Sequence, residues 1–246
     1  MQTERIAELL KPYLTACHSE PMRSSGEEPD LLSPSQLQSI STYIDILLRW
    51  NARINLTAIR DPEEIVTRHF GESLFAASHL FPQGTSGGES GGRAALQGRV
   101  KDGEEFRASA PARTLADVGS GAGFPGIPIK LWAPDISLTL IESNQKKATF
   151  LREVTRALTL TDIDIQPTRA ERLPSHAFDV VTLRAVERFE SILPIAAGLV
   201  RPTGRLALLI GLPQQAQAQS NLPDLSWSDP QPIPGSKSRV LLVAKL

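Results

Sequence analysis

The feature that most limits the fold of this chain is a glycine-rich turn set between an apolar strand and a helix. Thr114–Val118 has the short apolar pattern of a strand. The run Asp117-Val118-Gly119-Ser120-Gly121-Ala122-Gly123 ends that strand with an acid and then places glycine at every second position. Gly126–Trp132 continues as a helix. A strand, a tight glycine turn and a helix together make a nucleotide cradle, because glycine tolerates positive φ and lets the backbone approach a ligand closely. Ligands of open α/β sheets lie beyond the carboxyl ends of the strands, where this turn falls. The next predicted strand, Ser137–Glu142, ends in Glu142, about 20 residues further on, where an acid would accept ribose hydroxyls.

The chain after Thr114 keeps alternating. Asn144–Leu158 carries Phe150, Leu151, Val154 and Leu158 on one helical face. Strands are predicted over Ile163–Gln166, Phe178–Leu183, Arg205–Gly211 and Arg239–Leu246, with a helix over Glu190–Leu199. Such alternation predicts βαβ units around a mainly parallel sheet with helices on both faces. The terminal strand fits a closing hairpin at the sheet edge. Upstream the pattern is helical. Leu37, Ile40, Ile44, Leu47 and Leu48 recur at helical spacing, with Ser33 or Ser35 as N-cap. Asp61-Pro62 starts a second helix, which carries Ile65, Val66, Phe70, Leu74 and Phe75.

Two stretches read as linkers. Residues 18–34 are rich in Ser, Glu and Pro. Residues 82–113 centre on Gly84-Thr85-Ser86-Gly87-Gly88-Glu89-Ser90-Gly91-Gly92, which buries too little surface to offset its ordering entropy. The expected organisation is a helical extension over 1–81, an insertion over 82–113 and an α/β domain over 114–246. The 246 residues and the 41% apolar content suit that size of core. A formal net charge of -1 leaves any nucleic-acid partner to a local basic patch. The single cysteine, Cys17, excludes an intrachain disulfide framework and an all-cysteine metal site, and no metal is expected. No apolar run approaches bilayer-spanning length, and Met1-Gln2-Thr3-Glu4-Arg5 lacks the order of a signal peptide. A cytoplasmic monomer is the expectation.

The turn admits two cofactors. Gly121-Ala122-Gly123-Phe124-Pro125-Gly126 satisfies the dinucleotide pattern G-x-G-x-x-G, which would make the chain a nicotinamide-dependent oxidoreductase. Its acidic opening gives it equally the D-x-G-x-G-x-G form of S-adenosylmethionine-dependent methyltransferases. An acid such as Glu142 serves either cofactor.

Further motifs favour the second. Arg49-Trp50-Asn51, Ile54 through Pro62, Arg68-His69-Phe70 with Glu72-Ser73-Leu74, Asp117 through Pro128, Glu142 through Lys147, Arg169-Ala170-Glu171 and Thr182-Leu183-Arg184-Ala185 stand in one order along the chain. In these motifs the chain resembles the ribosomal small-subunit methyltransferase G family, also called glucose-inhibited division protein B. The resemblance covers most of the sequence outside the two linkers; the insertion at 82–113 departs from the family's short connection. It implies a Rossmann-like class I S-adenosylmethionine-dependent methyltransferase sheet with an N-terminal helical extension. It also implies methylation of N7 of guanine 527 in 16S ribosomal RNA, in the 30S subunit or an assembly intermediate. Carried over by motif, the cofactor contacts fall on Gly119, Phe124, Ala170, Glu171 and Arg184. The turn geometry adds Glu142, Gly121 and Gly123.

The residues agree with such an acceptor. Guanine N7 carries a lone pair and no proton, so attack on a sulfonium methyl needs positioning and electrostatics but no general base. Methylation of a pyrimidine C5 needs a cysteine nucleophile, and Cys17 lies far upstream. The D/N-P-P-Y/F turn of amino-group methylation and the three-cysteine cluster of radical chemistry are both absent from the sequence. A small-molecule acceptor survives these filters. Arg68, His69 and Arg184 are the candidates for positioning the substrate. Arg49, Arg53 and Arg60 could meet phosphates, as could Lys146, Lys147, Arg152, Arg156 and Arg188, although charge on a helix face is most often solvation. Asn51 and Asn55 either cap their helix or meet a base edge, and Trp50 reads as a core residue between the two parts.

Overall fold

A computed structural model describes residues 1–15, 32–82, 113–186 and 188–246. Cys17 and nearly all of both predicted linkers lie outside the described residues.

The first part is helical. α1 (Thr3–Thr15) buries Ile6, Leu10, Tyr13 and Leu14, spaced as one helical stripe. α2 (Pro34–Asn51) starts at Ser33 through a reciprocal cap: Gln36 N–H donates to Ser33 Oγ (3.2 Å) and Ser33 N–H to Gln36 Oε1 (2.7 Å). α3 (Pro62–Glu64) is capped by Asp61, whose Oδ1 accepts the Glu64 N–H at 2.8 Å. It runs on through a π-helical segment, Ile65–Gly71, into α4 (Glu72–Leu80). The sequence predicts one continuous helix here. The wider π turn rephases it, and every residue from His69 to Ser78 is buried. Gly71 is required by packing, since a Cβ there would stand 2.7 Å from the Tyr13 ring.

The second part is a sheet of β1 (Thr114–Val118), β2 (Ser137–Ile141), β3 (Ile163–Gln166), β4 (Phe178–Arg184), β5 (Val200–Gly211), β6 (Ser226–Trp227), β7 (Gln231–Pro232) and β8 (Arg239–Lys245). The order is β3-β2-β1-β4-β5-β8-β6, with β7 also paired to β8. β1 to β5 are parallel, with the chain reversing its winding between β1 and β4. This is the expected Rossmann-like sheet. Where the all-parallel dinucleotide sheet adds a sixth parallel strand beside β5, this chain places β8 antiparallel, Arg205 facing Lys245 and Gly211 facing Arg239. β8 is therefore not an edge strand: the short β6 and β7 cover its outer side.

Between the strands run α5 (Gly126–Trp132), α6 (Gln145–Ala157), α7 (Phe189–Leu199) and α8 (Pro213–Asn221). Strand residues alternate between two cores. Leu115, Leu138, Leu140, Val180, Leu209 and Leu241 pack with α5, α6 and the N-terminal helices. Ala116, Val118, Val181, Leu183, Leu208 and Leu242 pack with α7 and α8. The helical part is thus continuous with one face of the sheet. Trp132 donates to the Phe81 carbonyl (2.9 Å) and Arg205 of β5 to the Leu80 carbonyl (2.9 Å), which satisfies the end of α4.

Candidate cofactor site

The glycine turn leaves β1 at the carboxyl end of the sheet. Gly119 and Ser120 N–H groups both donate to the Ile141 carbonyl of β2 (2.9 and 3.1 Å). Asp117 is buried under the turn. Its Oδ1 accepts the Thr182 hydroxyl of β4 (2.9 Å) and its Oδ2 the Gly126 N–H that opens α5 (3.2 Å). Burial pushes its pKa up to about 6 against the pull of those hydrogen bonds. The acid of the motif therefore ties β1, β4 and α5 together beneath the glycine turn.

The three glycines share positive φ (69°, 56° and 84°) but do different work. A Cβ on Gly119 would touch Val186 at 3.0 Å, and one on Gly123 would run into the Tyr43 hydroxyl and stand 2.7 Å from Ile127. A Cβ on Gly121 would meet nothing closer than the Gly119 carbonyl at 3.7 Å. Gly121 alone of the three faces open space, and its N–H donates to Glu142 Oε2 at 2.9 Å. The other oxygen of Glu142 accepts the Asn144 N–H at 2.7 Å, beside the start of α6. Glu142 is buried and held at the turn by these two bonds. Ala170, buried, and Glu171, exposed, lie on a short 3-10 turn beyond the carboxyl end of β3.

The Phe124 ring is buried in an aromatic cluster. It stacks between Tyr43 (5.2 Å, 2° between planes) and His69 (4.8 Å, 22°), with Phe70 edge-on at 5.1 Å. His69 in turn meets Arg184, which ends β4. The Arg184 Nη2 donates to His69 Nδ1 (3.1 Å), to the Arg68 carbonyl (2.8 Å) and to Glu72 Oε2 (3.1 Å). Because Nδ1 accepts, the ring proton is on Nε2, which donates to Thr57 Oγ1 at 2.8 Å. Glu72, whose side chain is 2% exposed, also takes Arg239 (2.8 Å) and Arg68 (3.4 Å). Three guanidinium groups share this one buried carboxylate, and His69 beside them is neutral. The chain then strains: Ala185 and Arg188 both adopt positive φ (49° and 54°) just past β4.

Burial and the neighbouring arginines Arg184, Arg68 and Arg239 drive the His69 pKa down from 6.5 to about 3. Folding therefore excludes a proton between those values, and stability present above pH 6.5 is lost as pH falls through the window. Asp117 acts in the opposite sense. Raised from 3.8 to about 6, it gains a proton on folding, so its contribution improves as pH falls from 6 to 3.8. Urea titrations between pH 6.5 and 4 should show a shallower acid loss in His69→Gln than in the wild type, and a steeper one in Asp117→Asn. Each group can change the slope by at most about 1.4 kcal/mol per pH unit. Parallel profiles in all three proteins would contradict these assignments.

Two features fit a ligand that carries an adenosine and a charged tail. One is the open cradle at Gly121; the other is the Arg184 Nε, which is buried with no hydrogen-bond partner. The family described as rRNA small subunit methyltransferase G matches residues 36–85 and 103–231. The chain belongs to that family. A relative from Xanthomonas campestris pv. campestris (strain B100), a ribosomal RNA small subunit methyltransferase G, is 33% identical over 204 residues, 82% of this chain and 80% of its own length. Another of that name from Halorhodospira halophila is 37% identical over 180 residues, 73% of this chain and 72% of its own. Among solved structures, a SAM-dependent methyltransferase from Aquifex aeolicus aligns with 54% of this chain and 81% of its own, at 16% identity and a TM-score of 0.46. Membership makes this chain an S-adenosylmethionine-dependent methyltransferase and sets the nicotinamide reading aside.

The other sequence candidates in this methyltransferase fall into two groups. Asn51 is a brace: its side chain donates to the Thr57 carbonyl (2.9 Å) and accepts the Leu56 and Thr57 N–H groups (2.9 and 3.1 Å). Trp50 lies edge-on to Phe150 (5.8 Å) and donates to Glu153 (2.9 Å), joining α2 to α6. Asn55, Arg53 and Arg60 are exposed on the loop that Asn51 braces, and Arg49 pairs loosely with Glu153 (3.9 Å). Lys146, Arg152 and Arg156 are exposed on α6 and Arg188 at the start of α7, as a solvated face would be. Sequence reasoning missed Tyr43, Glu72 and Arg239 as parts of the site. An apolar stripe hides the tyrosine, and no local pattern joins residues 72, 184 and 239.

Proposed function

We propose that this chain methylates N7 of guanine 527 of 16S ribosomal RNA, in the 30S subunit or an assembly intermediate, acting as a cytoplasmic monomer. The observation that carries the reading is a family match that includes the helical part, residues 36–85, as well as the sheet. Among the described residues no helix is long and apolar enough to cross a membrane. The division into helical extension (1–81), insertion (82–113) and sheet domain (114–246) belongs to the same reading, supported by the change from helices to alternating strands at Thr114.

S-adenosylmethionine supplies an electrophilic methyl group on a sulfonium. Gly119, Gly121, Gly123, Phe124, Glu142, Ala170, Glu171 and Arg184 are the residues assigned to hold it. The open space at Gly121, the Glu142 carboxylate bonded to the turn and the unpartnered Arg184 Nε support assigning them to the adenosine, the ribose hydroxyls and the anionic end respectively. Gly123 and Phe124 are assigned backbone contacts, a reading supported by the packing of Gly123 against Tyr43 and of the Phe124 ring against His69. His69 is no base at neutral pH, because both nitrogens are engaged and its pKa lies near 3. That suits an acceptor that loses no proton. His69, with Arg68 and Arg184, is assigned to shaping the approach of the base.

The test is transfer of labelled methyl to 30S subunits from a strain lacking this modification, with the modified nucleoside identified. The expected product is 7-methylguanosine at position 527. Labelling of another nucleoside, or of a small molecule and no RNA, would overturn the reading.

A further inference from the structure

The glycine turn is the most flexible sequence in the site, yet its peptide groups are fastened one by one. Gly121 N–H donates to Glu142 (2.9 Å) and Gly123 N–H to the Ser120 carbonyl (2.6 Å). Between them the Ala122 carbonyl accepts the hydroxyl of Tyr43. Tyr43 lies on α2, 79 positions upstream of that carbonyl, and is 0% exposed. Its ring lies flat on Phe124 and edge-on to Phe70 (5.2 Å each). Its hydroxyl stands too close to the Cβ position of residue 123 for a side chain to fit there. Burial holds the phenol well above its ordinary pKa, so it stays protonated and remains a donor.

We propose that Tyr43 is a positioning residue for the cofactor, fixing the Ala122–Gly123 peptide so that the turn is ordered before S-adenosylmethionine arrives. The inference rests on the cofactor reading of the turn. Three consecutive alternate glycines have more backbone freedom to lose than any other residues. Freedom removed in advance by the protein is not charged against binding. Without the hydroxyl, the nearly buried Ala122 carbonyl has lost its donor, and the turn moves to recover one. The N-terminal helices thereby become part of the cofactor site, although no ligand atom need touch them.

Calorimetric binding of S-adenosylhomocysteine to the wild type, Tyr43→Phe, Gly123→Ala and the double variant tests this. Tyr43→Phe should weaken binding about tenfold, the size expected for one buried hydrogen bond. The KM for S-adenosylmethionine should rise by the same factor while kcat stays within about twofold. Affinity for 30S subunits should not change. Gly123→Ala should cost less in the Tyr43→Phe background, because its Cβ meets the hydroxyl only when the hydroxyl is present. The strain of alanine at positive φ is common to both backgrounds and cancels in the cycle. Additive effects, or a lower melting temperature in Tyr43→Phe with an unchanged Kd, would make Tyr43 a core residue only and overturn the proposal. A wild type that fails to bind S-adenosylhomocysteine would instead sink the cofactor reading on which it rests.

Discussion

Gly121→Asp is expected to abolish cofactor binding and leave the fold intact. The new side chain would project into the open space above the turn, where the nearest atom lies 3.7 Å from the Cβ position. It would also set a second carboxylate beside Glu142, whose Oε2 already accepts the residue 121 N–H at 2.9 Å. Steric exclusion and like charge act together, so a loss of at least about 100-fold in S-adenosylhomocysteine affinity is expected, equivalent to about 2.7 kcal/mol. The backbone itself should be spared, because aspartate tolerates the left-handed conformation better than most residues and no neighbour needs to move. Calorimetric binding together with a thermal melt separates the two effects. A variant that bound the cofactor normally would mean that the turn is misassigned. Gly123→Asp is a useful contrast, since there the new side chain enters the core against Tyr43 and the melt itself should fall.

The largest loss of stability is expected at Glu72. Its carboxylate is nearly buried between Arg184, Arg239 and Arg68 (3.1, 2.8 and 3.4 Å). Replacing it with glutamine leaves three positive charges facing one another, with Arg184 itself only 7% exposed. Removing one member of a buried ionic cluster typically costs about 3–5 kcal/mol, because the partners stay buried and uncompensated. Glu72→Gln should therefore unfold at clearly lower urea concentration than the wild type, with an unchanged slope. Arg68 is half-exposed, so Arg68→Gln should cost far less, within about 1 kcal/mol. Equal stability of Glu72→Gln and wild type would show that the arginines are satisfied without it.

These two residues mark the limits of what the sequence determined. The parallel sheet and its glycine turn were legible because strand-turn-helix chemistry is local. Apolar runs, alternate glycines and a strand-terminal acid all lie within about 25 residues of one another. The same locality made Glu142 readable. α8 was not legible, since Ala218 is its only buried residue and a helix without an apolar stripe has no periodicity to detect. The π segment escaped for a similar reason: Ile65, Val66, Phe70 and Leu74 fit an ordinary helix, and nothing in their spacing marks the wider turn.

The division of labour among the three glycines was settled by the tertiary structure alone. In the sequence Gly119, Gly121 and Gly123 are equivalent members of one motif. In the fold Gly119 yields to Val186, Gly123 yields to Tyr43, and Gly121 alone of the three faces open space. The partners that distinguish them come from the segment just past β4 and from α2, far away along the chain. In the Glu72 cluster only Arg68, four residues upstream, is a sequence neighbour; Arg184 of β4 and Arg239 of β8 are brought to it by the fold. Local chemistry thus determined the glycine turn after β1 and its strand-end acid. Long-range packing decided which atoms of the turn face open space and which are spent holding it in shape.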